Sequence, residues 1–429
     1  MLSVECMSVE CMRGRPQSYW LLLVCVVYTA YLATALTLPD ESKFIAGALL
    51  LLGWAGLSYV KNHFYPLIST ERLIAYSFAL FSLVSILSYL FMPQSRAGQI
   101  HLEDYGVFIM IIPLYLLLRQ FRINTRYLLV VLSVVLIGLG IQSYLSTSSR
   151  PSGGVNAMRF ANVSLIMALF PLIALIVFRY PSKLFKSLLV VSAGFGLFAC
   201  FLAQSRGALL SIPVLALVYG MYLHRNGHSK LLVAILLLGA VSIAVISQQP
   251  RMQRTVDSVE RYFSGDSKTP LGARFDMYKV AISLIKEKPI FGHGLGSYGP
   301  KASKIRDSTP GMNREVGMWN NPHNEILLVM VEKGVLGLST LLLVFWAPAY
   351  FFWGALRRSD KYGNNAVVKF YSLSGMGLLI VYSVAGQSVA LFQHDVFNHF
   401  FVLMVILFAS QIRSHEHYLG LDKGSVEVA

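Results

Sequence analysis

The chain has 429 residues, of which 55% are hydrophobic and only 13% charged, with a mean hydropathy of +0.59 and a net charge of +15. This composition excludes an ordinary soluble globular domain and places the chain among polytopic membrane proteins. The positive charge does not call for nucleic acid as a partner, because membrane proteins concentrate lysine and arginine in the loops they keep in the cytoplasm.

Residues 1–18 form a polar tail in which Ser-Val-Glu-Cys-Met occurs twice, at 3–7 and 8–12; no other internal repeat is obvious. The apolar run at 19–37 has no small-residue cleavage site after it, so it is expected to remain as a span. Further apolar runs, of the order of length needed to cross hydrocarbon as helices, follow at 44–60, 73–92, 105–118, 127–145, 160–178, 184–203, 207–223 and 231–247. Residues 19–247 are therefore expected to hold nine transmembrane helices, and residues 325–412 three more, at 326–356, 367–392 and 396–412. Between them lies a 77-residue polar loop, 248–324, and the chain ends in a tail, 413–429. The expected fold is an all-α polytopic membrane protein of about twelve transmembrane helices.

Eighteen lysines and arginines fall in the tails and short loops of one side, against five on the other: Lys43, Arg96, Arg150, Arg159 and Arg206. The rich side is expected to be cytoplasmic, with both termini, and loop 248–324 to be exported. That loop holds twelve Lys and Arg against seven Asp and Glu, a balance that loops beyond about 60 residues carry across regardless. Cys6 and Cys11 lie in the tail and Cys25 and Cys200 within spans, which gives no disulfide framework.

Within the loop, Phe275, Tyr278, Ile282 and Ile285 recur at spacings of three and four. They predict an amphipathic helix over 271–287, stopped near Pro289. Its apolar face is expected to rest on headgroups or on other helices, leaving Arg274, Lys279 and Lys286 to meet anionic groups. The glycine-rich stretch 291–299 follows no strand, so it reads as a tight turn folding the loop back and not as a dinucleotide fingerprint. The next apolar run, 326–356, would be about 46 Å long as a straight helix, well beyond the roughly 30 Å hydrocarbon core. Gly334, Gly337 and Pro348 are the expected sites of kinking or tilt, and Gly334 and Gly337 are also natural helix-packing positions.

His323, where the loop re-enters the bilayer, is the candidate general base, since a neutral imidazole can take a proton from an attacking hydroxyl. Arg206 stands at the start of a span, with Ser205 available as N-cap and Gly207 permitting close approach. A helix N-terminus plus a guanidinium suits phosphate oxygens, so Arg206, together with Arg274 and Arg159, is the candidate diphosphate site. Glu332 lies nine residues beyond His323, about 180° around a regular helix, so a direct dyad is not expected. It is assigned a supporting role, holding an arginine, and Asn324 is grouped with it. His394, Asp395 and His399 do not have the spacing of a metal site on one helical face. No metal and no cofactor are expected.

The segment from His323 through Leu327, Glu332, Gly334 and Gly337 reads H-x3-L-x4-E-x-G-x2-G. It resembles the C-terminal signature of the O-antigen ligase superfamily, which includes lipopolysaccharide O-antigen ligases, O-antigen polymerases and protein O-oligosaccharyltransferases. Ser205-Arg206-Gly207-Ala208 and Arg274 ahead of Pro289-Ile290-Phe291-Gly292 fit the same family. The first half resembles it by topology alone. The resemblance implies a GT-C-type glycosyltransferase in the bacterial inner membrane, surrounded by membrane lipids, with loop 248–324 periplasmic. It would transfer glycan from undecaprenyl diphosphate to a lipid A-core sugar hydroxyl by inverting displacement, His323 acting as base and the arginines holding the diphosphate. The loop would be a lid bringing Arg274 over Arg206. A repeat-unit polymerase, a protein O-oligosaccharyltransferase and, from another class, a lipid-linked glycan transporter or flippase remain alternatives.

Overall fold

A computed structural model describes residues 16–91, 96–148, 150–225, 250–264, 266–361 and 365–419. The described residues form helices and no strand. In chain order these are α1 (Pro16–Thr34), α2 (Pro39–Ala55), α3 (Leu57–His63), α4 (Ser69–Phe91), α5 (Arg96–Met110), α6 (Ile112–Leu118), α7 (Thr125–Leu145) and α8 (Ala157–Val177). They continue with α9 (Lys183–Leu202), α10 (Arg206–Arg225), α11 (Pro250–Phe263), α12 (Pro270–Glu287), α13 (Tyr298–Ser308), α14 (Glu325–Lys361), α15 (Ala366–Ala385) and α16 (Asp395–Tyr418). Asparagine and serine caps start several of them: Asn124, Asn156 and Asn365 accept backbone N–H groups at the starts of α7, α8 and α15, and Ser182 does so for α9.

Nine helices among the described residues are long and apolar enough to cross a membrane, counting α5 with α6 as one, and ten if α2 and α3, bent by 46°, form one span. The shorter apolar stretch Tyr19–Thr34 belongs to α1. The span expected at 231–247 lies outside the described residues.

The bundle is organised around α16. Every side chain from Phe400 to Ser414 is buried, and a helix apolar all round belongs in a core. Aromatic rings from three helices and a turn close on it, with Phe392, Phe108, Phe345 and Tyr382 all within about 6 Å of Phe401. Polar clusters hold its two ends. At the start, Asp395 pairs with Lys43 at 2.5 Å. At the far end, Arg413 pairs with Glu71 at 3.0 Å and Glu416 at 2.8 Å, while Arg119 reaches Glu71 at 3.2 Å and Arg358 reaches Glu416 at 2.9 Å. Asp395 and Arg413 are eighteen residues apart, about 27 Å along a helix, close to the hydrocarbon thickness.

These pairs correct two sequence expectations. Arg119 and Arg413 are not solvated loop charges but fully buried ion-pair partners, and the final helix continues to Tyr418, past the tail boundary placed at 413. The long helix α14 breaks at Gly334, whose φ of +62° and ψ of −157° are not helical, while Pro348 sits within continuous helix. Only glycine adopts that conformation without a steric penalty, so the break falls there.

Candidate functional site

The loop between α10 and α14 folds onto the bundle. In α12, Thr269 caps the N-terminus, its hydroxyl accepting from the Gly272 N–H at 3.0 Å, and Pro270 occupies the first turn. The buried face is Ala273, Met277, Val280, Ala281 and Leu284, packed with Leu328 and Val331 of α14 and with Tyr298 and Ala302 of α13. The expected stripe is therefore rotated: Ile282 is exposed, and Phe275, Tyr278 and Ile285 are only partly covered. Small residues such as Ala273 and Ala281 belong to the buried face, and a pattern of large apolar side chains does not mark them.

The glycine stretch after α12 does fold back, and it fits the break in α14. A kink removes i to i−4 bonds, leaving carbonyls before it and N–H groups after it without helical partners. The loop supplies them: His293 N–H donates to Val331 O at 2.8 Å and Gly294 N–H to Glu332 O at 2.9 Å, while Val335 N–H donates to Pro289 O at 2.8 Å. The approach is so close that a Cβ on Gly334 would lie 2.2 Å from Ile290 O, and one on Gly292 2.4 Å from the Glu332 carbonyl carbon. Gly334 is thus a break point and not a helix-packing position. Gly337 faces Lys333 of its own helix, where a Cβ would lie 2.2 Å from that side chain's Cβ.

Glu332 is fully buried. Its Oε1 accepts from Gly296 N–H at 2.8 Å and lies 3.1 Å from His101 Nδ1. It therefore holds the glycine loop and α5, and not an arginine as expected. It makes no dyad with His323, in keeping with helical geometry. Next to it, Lys333 is buried against Phe81 and Tyr105 and donates to Ser85 Oγ at 3.1 Å. The sequence reading passed over Lys333, although a lysine inside an apolar run is itself a signal.

A cleft of about 420 Å³ opens between the N-terminus of α10 and the first turn of α12. Arg206 and Arg274 line it together with Arg150, Arg261 and Lys268, against the single carboxylate of Asp257. Arg261 is held by Asp266 at 2.5 Å, and Arg150 donates to Ala203 O at 3.2 Å. Gly207 lets α10 approach the end of α15, since a Cβ there would be 3.0 Å from Ser388 Oγ. Ser205 does not cap α10 through its side chain: among the described residues its buried Oγ makes no hydrogen bond. Convergent guanidinium groups at a helix N-terminus make a site for a polyanion such as a diphosphate.

Two of the expected residues stand outside that lining. Arg159, in the first turn of α8, donates from Nη2 to His394 Nδ1 at 2.9 Å. Because a guanidinium cannot accept, His394 must carry its proton on Nε2 when neutral, and burial first, then Arg159, push its pKa down to about 3. His394 had been considered only as a metal ligand. Among the described residues no cluster of three or more His, Cys, Asp or Glu is placed to hold a metal ion.

His323 is held by its backbone. Its φ of +55° is left-handed, unusual outside glycine, and its N–H donates to Asn321 Oδ1 at 3.0 Å. Asn324 then caps α14, its Oδ1 accepting from Leu327 N–H at 3.0 Å while its amide donates to Gln387 O at 3.3 Å. The Trp319 ring lies 6.2 Å from the imidazole. Among the described residues the His323 ring makes no hydrogen bond, so neither nitrogen is committed to a protein partner. Burial, and after it the positive charge of Arg274, lower its pKa to about 4. Arg274 thus lines the cleft and its charge also acts on the histidine, and at neutral pH the imidazole is in the form that accepts a proton.

Residues 191–342 match the O-antigen ligase family model, a stretch that contains Arg206, Arg274, His323, Glu332, Gly334 and Gly337 and leaves out Arg159 and His394. A protein of Haemophilus influenzae described as uncharacterized is 23% identical over 349 residues, 76% of this chain and 84% of the relative. An O-antigen ligase of Escherichia coli is 25% identical over 256 residues, 57% of this chain and 60% of its own length. An O-antigen ligase of Salmonella typhimurium is 26% identical over 318 residues, 68% and 72% of the two chains.

Proposed function

We propose that this chain, which belongs to the O-antigen ligase family through the domain at residues 191–342, transfers O-antigen glycan from undecaprenyl diphosphate to a sugar hydroxyl of lipid A-core. The reaction takes place at the periplasmic face of the inner membrane, in lipopolysaccharide biosynthesis. The observation that carries this reading is the placement of Arg274, which lines a basic cleft opposite Arg206 and whose charge also bears on the half-buried, neutral His323. A cleft for the leaving diphosphate and a base for the incoming hydroxyl thus share one residue.

The chemistry is a single displacement with inversion. As the acceptor oxygen bonds to the anomeric carbon, its proton passes to a ring nitrogen of His323. The bond from that carbon to the phosphate oxygen breaks, and its electron pair leaves with the undecaprenyl diphosphate. Arg206 and Arg274 stabilise the charge growing on that leaving group, and Arg150 and Lys268 add to the field. Arg159 acts at one remove: it fixes His394 beside the site and does not line the diphosphate cleft. No step calls on a metal ion, because the guanidinium groups supply the positive charge.

The test uses purified full-length protein with undecaprenyl-diphosphate-linked glycan, with and without lipid A-core. Glycosylated lipid A-core, lost in His323→Ala, is the expected product. A ladder of carrier-linked glycan formed without lipid A-core would instead identify a repeat-unit polymerase.

A further inference from the structure

Trp319 is a large aromatic side chain left half in solvent, 51% exposed, beside a half-buried histidine. Its surroundings are not loose. Val316, three residues earlier, is fully buried, and its carbonyl accepts from Arg306 Nη1 at 2.8 Å. Gly317, with φ of +77°, lies against Ser303, whose Oγ donates to the Gly317 carbonyl at 3.0 Å. After Trp319, Asn320 packs on Gly299, where a Cβ would be 2.6 Å from the asparagine Oδ1, and Asn321 takes the His323 N–H. The chain on both sides of Trp319 is thus held, and its indole lies 6.2 Å between ring centres from the imidazole, inclined by 56°. It does not line the diphosphate cleft.

We infer that Trp319 is the platform on which the acceptor sugar ring stacks. The inference rests on the proposed role of His323 as the base. A hydroxyl that gives its proton to His323 must come within about 3 Å of a ring nitrogen. The sugar ring carrying that hydroxyl then occupies the space beside the imidazole, which Trp319 borders. One face of a sugar ring is a patch of C–H groups carrying partial positive charge, and the electron-rich face of an indole is its complement. Since the diphosphate of the donor belongs to the cleft, which Trp319 does not enter, the stacked sugar is that of the acceptor. Trp319 is a binding residue: it sets the acceptor's affinity and orientation and takes no part in the bond changes.

The experiment compares Trp319→Ala and Trp319→Phe with the parent protein, varying carrier-linked glycan and lipid A-core separately. Trp319→Ala is expected to raise the acceptor KM about tenfold, with the donor KM and kcat close to those of the parent, and Trp319→Phe to recover most of the loss. A rise in the donor KM alone would overturn the inference and place the donor glycan on the indole. Unchanged constants in Trp319→Ala would also overturn it, and would identify an aromatic anchor of the membrane interface. Failure of the underlying reading is separately visible, because it appears as undiminished turnover in His323→Ala whatever Trp319 does.

Discussion

Acidification separates a half-buried His323 under the charge of Arg274 from an ordinary histidine. A histidine with a pKa near 6.5 is only about one-tenth neutral at pH 5.5, whereas one with a pKa near 4 is still about 97% neutral. His323 belongs to the second kind, because burial first and Arg274 second disfavour its protonated form. Lowering the pH from 7.5 to 5.5 is therefore expected to leave kcat/KM almost unchanged, where an unperturbed base would lose about tenfold. The assay is kcat/KM for transfer to lipid A-core by the purified protein, since that quantity reports the pKa of the free enzyme's base. The same shift has a defined sign for stability: the folded protein binds the proton less readily than the unfolded chain. The contribution of neutral His323 is thus complete above about pH 6.5 and declines as pH falls toward about 4. Thermal unfolding in detergent should move down across that window, and less so in His323→Ala. An acid limb of kcat/KM near pH 6.5 would refute the reasoning.

Arg206→Ala and Arg274→Ala are each expected to lower kcat/KM by about 10²-fold or more, with the protein still accumulating in the membrane; transfer at the parental rate by either variant would remove it from the diphosphate site. Replacing Gly334 by alanine should destabilise the fold by about 3 kcal/mol, combining a left-handed φ with the displacement of the Ile290 carbonyl and the loss of loop hydrogen bonds; an unchanged melting temperature would mean that the break relaxes without cost. Asn324→Ala removes the cap of α14 and should cost about 1 kcal/mol, read from the same melts. Activity is expected to survive EDTA, and loss on chelation with recovery on adding a divalent ion would falsify the metal-independent reading.

The membrane class and the positions of most spans were legible because apolar runs must match hydrocarbon thickness whatever they pack against. Motif and position were enough to single out His323, Arg206 and Arg274 as candidates, and the structure sets the two arginines in one cleft. Pairing was not. Glu332 could be excluded as a partner of His323 by helical phase, but that it serves His101 and the Gly296 N–H depends on where a loop 36 residues earlier comes to rest. Arg159 looked equivalent to Arg206, each near a span end, and only tertiary geometry ties it to His394, 235 residues away. The α12 stripe was misassigned for a simpler reason. Large apolar side chains mark a helix face only when they are what the partner needs, and α14 instead accepts Ala273, Met277 and Ala281.

These contacts also change what the loop is. A lid that opened as a unit would have to detach the face of α12 built on Ala273, Met277, Val280 and Leu284, and draw the glycine stretch out of the break in α14. The second step would leave the carbonyl of Val331 and the N–H of Val335 without their partners in a protein interior, each at a cost of about 1–3 kcal/mol, while the Glu332 carbonyl would keep only the Ser88 hydroxyl, at 3.2 Å. Arg274 sits in the first turn of the helix so held, and His323 ends the same loop where Asn324 caps α14. The separation of the basic cleft from His323 is consequently fixed when the chain folds. Under the proposed mechanism electrostatic catalysis gains from that arrangement, because charges already in place need no reorganisation as a diphosphate departs. The break at Gly334 is what makes it possible: a continuous helix would offer no free carbonyls for the loop to grip.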